Sequence, residues 1–171
     1  ITSLANKTDI DHQLFRPAVI YLNGEYWGIQ NIREKVNEHF LSSHHDINPE
    51  NIDLLDIQGT NPENIVHGTN VDYLNLLDYL NNNDLRDPVI QSGIEGWIDI
   101  NSFMQYQAFQ IFIDNRDWPG NNIKFWRDHR TTGKWRWILY DTDFGFGIWD
   151  PGAYSFNTLS FALTPNGPDW P

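Results

Sequence analysis

Apolar positions along the chain fall into short alternating runs and a few helical stripes, separated by turn-forming residues. Ala18, Val19, Ile20, Tyr21 and Leu22 form a strand run, and Asn23-Gly24 is the strongest short hairpin signal. Residues 26–32 make the return strand, and Gly28 within it points to a bulge or a close approach by another group. Residues 34–41 carry Val36, Phe40 and Leu41 at core spacing for a helix. A loop at 46–50 and a short strand at 52–57 follow. Residues 58–68 read as a loop, with Gly59, Pro62 and Gly68 as breakers. An amphipathic helix over 70–80 places Val71, Leu74, Leu77 and Leu80 on one face. A short helical piece covers 88–94. Asp99 or Asn101 caps a helix over 101–113, whose face carries Phe103, Tyr106, Phe109, Gln110 and Ile113. Residues 123–127 and 135–140 are two strands joined by a turn at Arg130-Thr131-Thr132-Gly133; Trp135, Trp137 and Leu139 alternate there with Arg136, Ile138 and Tyr140. Residues 1–16 lack periodicity and read as the end of a helix. The stretch after Gly147 reads as an irregular segment lying over the preceding one.

This mixture of elements predicts an α+β fold. The chain has 171 residues, 40% hydrophobic and 15% aromatic, which is enough for one domain with a core. No internal repeat is present. The formal charge of −12 and the absence of a dense basic run argue against a nucleic-acid surface. Such a field favours cations or a basic partner segment. The chain has no cysteine, so disulfides, zinc-thiolate sites and Cys nucleophiles are excluded. No apolar run reaches the length of a membrane span. The chain opens at Ile1 without a Met and stops at Pro171, and we read it as a fragment of a longer protein.

The chemistry concentrates in residues 114–147. Asp114, Asn115, Asp117, Asn121 and Asn122 cluster at one end of the hairpin, and Asp141 and Asp143 at the other. A hairpin brings its ends together, so the two clusters are expected to meet. Crowded carboxylates need a cation or a proton to offset their repulsion. Asp117 to Asn122 has the spacing D-x-x-x-x-N, and the hairpin runs on into Asp143-Phe144-Gly145. Protein kinases use those two motifs, in that order, for the hydroxyl-facing carboxylate and the metal ligands. Either motif alone is weak. Their order around a hairpin is more specific.

The resemblance extends further. Tyr21-Leu22-Asn23-Gly24-Glu25-Tyr26-Trp27-Gly28, Arg33-Glu34-Lys35, Asn115-Arg116-Asp117-Trp118-Pro119-Gly120-Asn121-Asn122, and Trp135-Arg136-Trp137 leading to Asp141-Thr142-Asp143-Phe144-Gly145 resemble the CotH kinase family. The resemblance covers residues 17–147. It implies an atypical protein-kinase-like fold, mostly C-lobe with part of an N-lobe. It implies ATP and magnesium as cofactors, and a partner protein phosphorylated on Ser or Thr. Asp117 carries over as the catalytic carboxylate, Asn122 as a metal-side and cofactor-binding residue, and Asp141 and Asp143 as the metal-binding pair. Kinase-like spacing favours Asp143 as the main ligand, while Asp141 opens the family's Asp-x-Asp block. Glu34 carries over as a cofactor-side residue. The family's first strands, with their phosphate-anchoring Lys, would lie before Ile1, because Lys7, Lys35, Lys124 and Lys134 occupy no convincing anchoring strand. A fragment lacking those strands is expected to be a weak enzyme. Secreted, cell-surface and spore-coat settings stay open.

Blander readings compete. Asp beside Pro-Gly is often only a turn residue. Asn121 and Asn122 can shape a turn without touching a ligand. Asp141 and Asp143 would face opposite sides if the strand continued through them. Glu34-Lys35 reads equally as a solvated pair, and His44-His45 as solvent-facing in a polar loop. The alternative function is a non-catalytic coat or cell-surface interaction protein, with or without a bound divalent cation. A carbohydrate-binding module would require exposed coplanar Trp side chains, whereas Trp126, Trp135 and Trp137 fit core faces.

Overall fold

The computed structural model describes residues 1–58, 61–131, 133–148 and 150–164, with side chains at all of these except 2 and 61–63. The strands are β1 (Asp11–His12), β2 (Phe15–Leu22), β3 (Glu25–Arg33), β4 (Ile52–Gln58), β5 (Asn61–His67), β6 (Ile123–Asp128) and β7 (Arg136–Leu139). The helices are α1 (Glu38–His45), α2 (Val71–Asn82), α3 (Pro88–Trp97), α4 (Ile100–Phe112) and α5 (Thr158–Ala162). The fold is α+β, as the sequence pattern requires.

Two sheets form. One is five-stranded, in the order β1-β7-β6-β4-β5; the other is the β2-β3 hairpin alone. In the hairpin, Asn23 and Gly24 both hold positive φ, 52° and 86°, as the primed turn demands. Ile20 pairs with Gly28 and Tyr21 with Tyr26, which leaves Trp27 as the bulged residue beside Gly28 at φ 127°.

The larger sheet is covered on both faces. On one, Leu55, Ile123, Phe125, Trp135 and Leu139 meet Tyr106, Phe109 and Ile113 of the α4 segment and Leu76 of α2. On the other, Ile52, Leu54, Trp126 and Ile138 meet Val36, Phe40 and Leu41 around α1. Two-sided cover explains why β4 and β6 carry apolar residues on both faces. The exceptions are buried charges with partners: Asp53 accepts from Arg127 Nε at 2.9 Å, and Asp56 from Lys124 Nζ at 2.5 Å. Trp126 and Trp135 lie in the core. Those two indoles are therefore not part of a carbohydrate-binding platform.

Several local expectations change. Residues 58–68 are not a loop, because β5 occupies most of them. It is the sheet's edge strand, where a Pro without an N–H is tolerated. The helix expected at 34–41 starts later, because Asn37 caps it by accepting from Phe40 N at 3.0 Å. It runs on to His45, so His44 and His45 sit in its last turn and not in a loop. The expected α2 face is rotated: Val71 and Leu74 are exposed, Leu76 is buried, and Tyr73 packs on Phe125 and Trp135. The larger aromatic ring decides which side faces inward. Residues 1–16 carry a 3-10 turn, Thr2–Lys7, and then the short β1. In the 130–133 turn Thr132 lies outside the described residues, as do Gly59 of the 58–68 stretch and Trp149 and 165–171 of the C-terminal one.

Candidate active site

The site begins inside α4. Asp99, not Asn101, caps this helix, its Oδ1 accepting from Ser102 N at 3.1 Å. On its inner face Gln110 Nε2 donates to Tyr106 Oη at 2.8 Å, and Asn115 Nδ2 donates to Gln110 Oε1 at 2.9 Å. Asn115 Oδ1 in turn accepts from Asp117 N at 3.1 Å. Tyr106, Gln110 and Asn115 are all buried. Burial drives the Tyr106 phenol far above its usual pKa, against the opposing effect of the Gln110 hydrogen bond. The phenol therefore stays a neutral member of the row. A buried polar row survives only when its members are paired. This one ends by fixing the backbone of Asp117.

The loop after Asp117 folds back on it. Asn121 Nδ2 donates to Asp117 Oδ2 at 3.0 Å, and Asn122 Nδ2 donates to the same oxygen. Asn122 holds φ 53°, a left-handed conformation that Asn tolerates better than most residues. Trp118 anchors the loop in the core.

The second cluster meets the first through backbone hydrogen bonds. Arg116 N donates to Phe144 O at 3.4 Å, and Phe146 N donates to Ile113 O at 2.5 Å. Gly145 explains how the two loops come so close. A Cβ there would stand 3.2 Å from Thr142 O and 3.3 Å from Ile113 O, tighter than nearly all real contacts. A side chain there would press the two loops apart by a few tenths of an ångström.

Asp141 and Asp143 do not face opposite sides, because β7 ends at Leu139 and Asp141 turns to φ 46°. Their carboxyls share a hydrogen bond. Burial, then the charge and hydrogen bond of Asp143, then the charge of Asp117 raise the Asp141 pKa; Arg33 pulls the other way. A cation would relieve the same repulsion.

A cleft of about 280 Å³ opens beside this pair. Asp141, Thr142 and Asp143 line one wall, and Gln13, Phe15, Asn31 and Arg33 line another, with Ile1 between chain ends. Asp117 and Asn122 bond each other, and the Asp117 charge acts on Asp141, but neither side chain is in the lining of this cleft. Glu34 is not in the lining. Its carboxylate accepts from Leu14 N at 2.9 Å and faces His44 Nε2 at 2.9 Å. Burial works against ionisation there, but His44 and the Leu14 N–H together hold the Glu34 carboxyl below its usual pKa. Lys124, one of the possible phosphate anchors, is committed to Asp56.

Three features escaped the sequence reading. Arg33 sits in a quoted motif but carried no role. Alternation puts Asn31 and Arg33 on one face of β3, where Phe15 pairs with Arg33, but nothing in it points to Asp141. The Tyr106-Gln110-Asn115 row had a signal in polar Gln110 on an apolar helix face. The third is the strap behind Asp117. Arg116 Nη2 donates to Asp150 Oδ2 at 3.2 Å, its guanidinium lies 3.5 Å from the Phe156 ring centre, and Thr158 Oγ1 donates to Asp114 at 2.6 Å. These contacts tie the segment before α5 across the loop.

Among the described residues no group of three or more His, Asp or Glu side chains is arranged to hold a metal ion. Among them, too, no helix is long and apolar enough to cross a membrane. A model of the family described as CotH kinase protein matches residues 1–169. No curated protein matches the chain.

Proposed function

The chain belongs to the CotH kinase family, and on that premise we propose that it is an atypical protein kinase domain, moving the γ-phosphate of ATP to Ser or Thr hydroxyls of a partner protein. In this reading the β2-β3 hairpin is what the chain holds of a small lobe. The five-stranded sheet and its helices play the large-lobe part. The observation that carries the proposal is the placement of Asp117: fixed from behind by a buried row, engaged in front by Asn121 and Asn122, and near enough for its charge to act on Asp141.

Asp117 is the group assigned to the acceptor hydroxyl. Both amides donate to Oδ2, so Oδ1 is the oxygen left to orient that hydroxyl and take its proton. The hydroxyl oxygen bonds to the γ-phosphorus as the bond to the β–γ bridging oxygen breaks, and ADP leaves with that electron pair. Little covalent chemistry falls to the protein in such a transfer, so positioning and charge neutralisation are its contribution.

The donor set fits magnesium in a limited sense. Magnesium is usually held by one or two carboxylates, with waters and the substrate's phosphates completing the shell. A repelling carboxyl pair suits that role better than a three-carboxylate cage, which is absent among the described residues. Asp141 and Asp143 would hold the ion, with Asn122 on the metal side. When bound, it would neutralise phosphate charge. A basic acceptor segment would be drawn by the net charge of −12.

One observation favours the alternative of an interaction protein. Tyr21, Tyr26, Trp27 and Ile29 stand more than half exposed on the hairpin. Transfer of labelled phosphate from γ-labelled ATP to Ser- and Thr-containing peptides separates the two readings: label in the peptide supports the kinase, and none above background supports the interaction protein.

A further inference from the structure

We propose that Arg33 is a phosphate anchor of this cleft; the inference rests on the nucleotide-binding reading given above. Arg33 is the last residue of β3 and lines the cleft opposite Asp141 and Asp143. Several basic side chains around the fold are spent on structure. Arg116 holds Asp150, Lys124 holds Asp56, Arg127 holds Asp53, and Arg136 holds Asp99. Arg33 has no carboxylate within ion-pair distance and no hydrogen-bonded partner among the described residues. It nevertheless acts on Asp141 through space.

Charge makes such a group necessary. A polyphosphate entering the cleft meets Asp141, Asp143 and the nearby Asp117. A guanidinium on the facing wall offsets part of that repulsion, and its planar fork matches two phosphate oxygens at once. Its backbone is also held in place. Gln13 Nε2 donates to Glu34 O at 2.5 Å, while the Glu34 carboxylate is fixed by Leu14 N and His44 at 2.9 Å each. The residue next to Arg33 is thus clamped to the segment between β1 and β2 and to α1. Glu34 acts here as a positioning residue behind Arg33, outside the cleft itself.

The test is calorimetric binding of ATP and of adenosine, each with magnesium, to the chain and to its Arg33→Ala and Arg33→Lys variants. Arg33 is exposed and unpaired, so melting temperatures should be unchanged. We expect ATP affinity to fall about tenfold or more in Arg33→Ala, the size of a lost charge-assisted contact, with adenosine binding unaltered. Arg33→Lys should fall between, keeping the charge and losing the fork. In a transfer assay the same change should raise KM for ATP more than it lowers kcat. Unchanged ATP affinity in Arg33→Ala, equal losses for ATP and adenosine, or no binding of ATP to the wild type would each overturn the proposal. ATP binding that depends on Arg33 without phosphoryl transfer would leave this inference standing and remove the kinase reading. Transfer with an Arg33-independent KM would do the reverse.

Discussion

Asn115→Ala cuts the row that holds Asp117. The Asn115 amide makes two hydrogen bonds, donating to Gln110 Oε1 at 2.9 Å and accepting from Asp117 N at 3.1 Å. Gln110 is buried, so water does not readily replace the lost donor. An unsatisfied buried acceptor costs about 1–3 kcal/mol. Asp117 is half-buried, and its N–H can find water, so that loss adds roughly 0.5–1 kcal/mol. The expected destabilisation is therefore about 1.5–4 kcal/mol, read as a lower urea midpoint at unchanged slope. A double-mutant cycle with Gln110→Ala should show coupling of about 1 kcal/mol or more, because the two amides act on one another. Asp117 loses its fixed backbone, so phosphoryl transfer should fall even where the variant remains folded. A cost below about 0.5 kcal/mol would place Asn115 among ordinary surface substitutions and refute the claim that the row is structural.

Asp11 supplies a pH test. Burial opposes its ionisation, but hydrogen bonds from His45 and Trp126 and the charges of His45 and Arg136 outweigh this and hold its pKa below the usual value. A depressed folded-state pKa contributes stability above the unfolded-state value, and that contribution is lost as pH falls through the ordinary carboxylate range toward the folded pKa. Asp11→Asn should accordingly lower the melting temperature at neutral pH and flatten its decline in acid; a parallel decline in both proteins would count against the account. Gly145→Ala forces a Cβ to within 3.2 Å of Thr142 O and 3.3 Å of Ile113 O. It should cost about 1–3 kcal/mol in thermal unfolding and weaken nucleotide binding, whereas a neutral result would show that the loops have room to part.

The elements that sequence made visible are those built from local signals. Asn23-Gly24 specified the first hairpin, alternating Trp residues the second, and the Phe103, Tyr106, Phe109 and Ile113 stripe the helix that leads into the site. Local signals also placed both acidic clusters at the ends of one hairpin. Misread elements were decided by context. β5 contains Pro62 and survives as a strand because it is an edge. The buried side of α2 was settled by Tyr73 meeting Phe125 and Trp135, not by its own leucines. The wall carrying Arg33 was invisible for a different reason. It lies more than a hundred residues before Asp141 in the chain, and no local pattern records a pairing across that distance. Asp141 and Asp143 came together only because the strand stops at Leu139, a stop that period-two alternation did not show.

Central to all of this is the role of the Asp117 carboxylate, and the most direct measurement is transfer of labelled γ-phosphate to a Ser-rich basic peptide by wild type, Asp117→Asn and Asp143→Ala. The account predicts that Asp117→Asn keeps its fold and its ATP affinity while turnover falls about a hundredfold or more, the size of a positioned acid–base group. It predicts that Asp143→Ala chiefly weakens binding of the magnesium nucleotide, so the two defects separate into turnover and binding. Wild-type turnover in Asp117→Asn would contradict the account, make that carboxylate a structural member of its loop, and leave the interaction protein as the better reading.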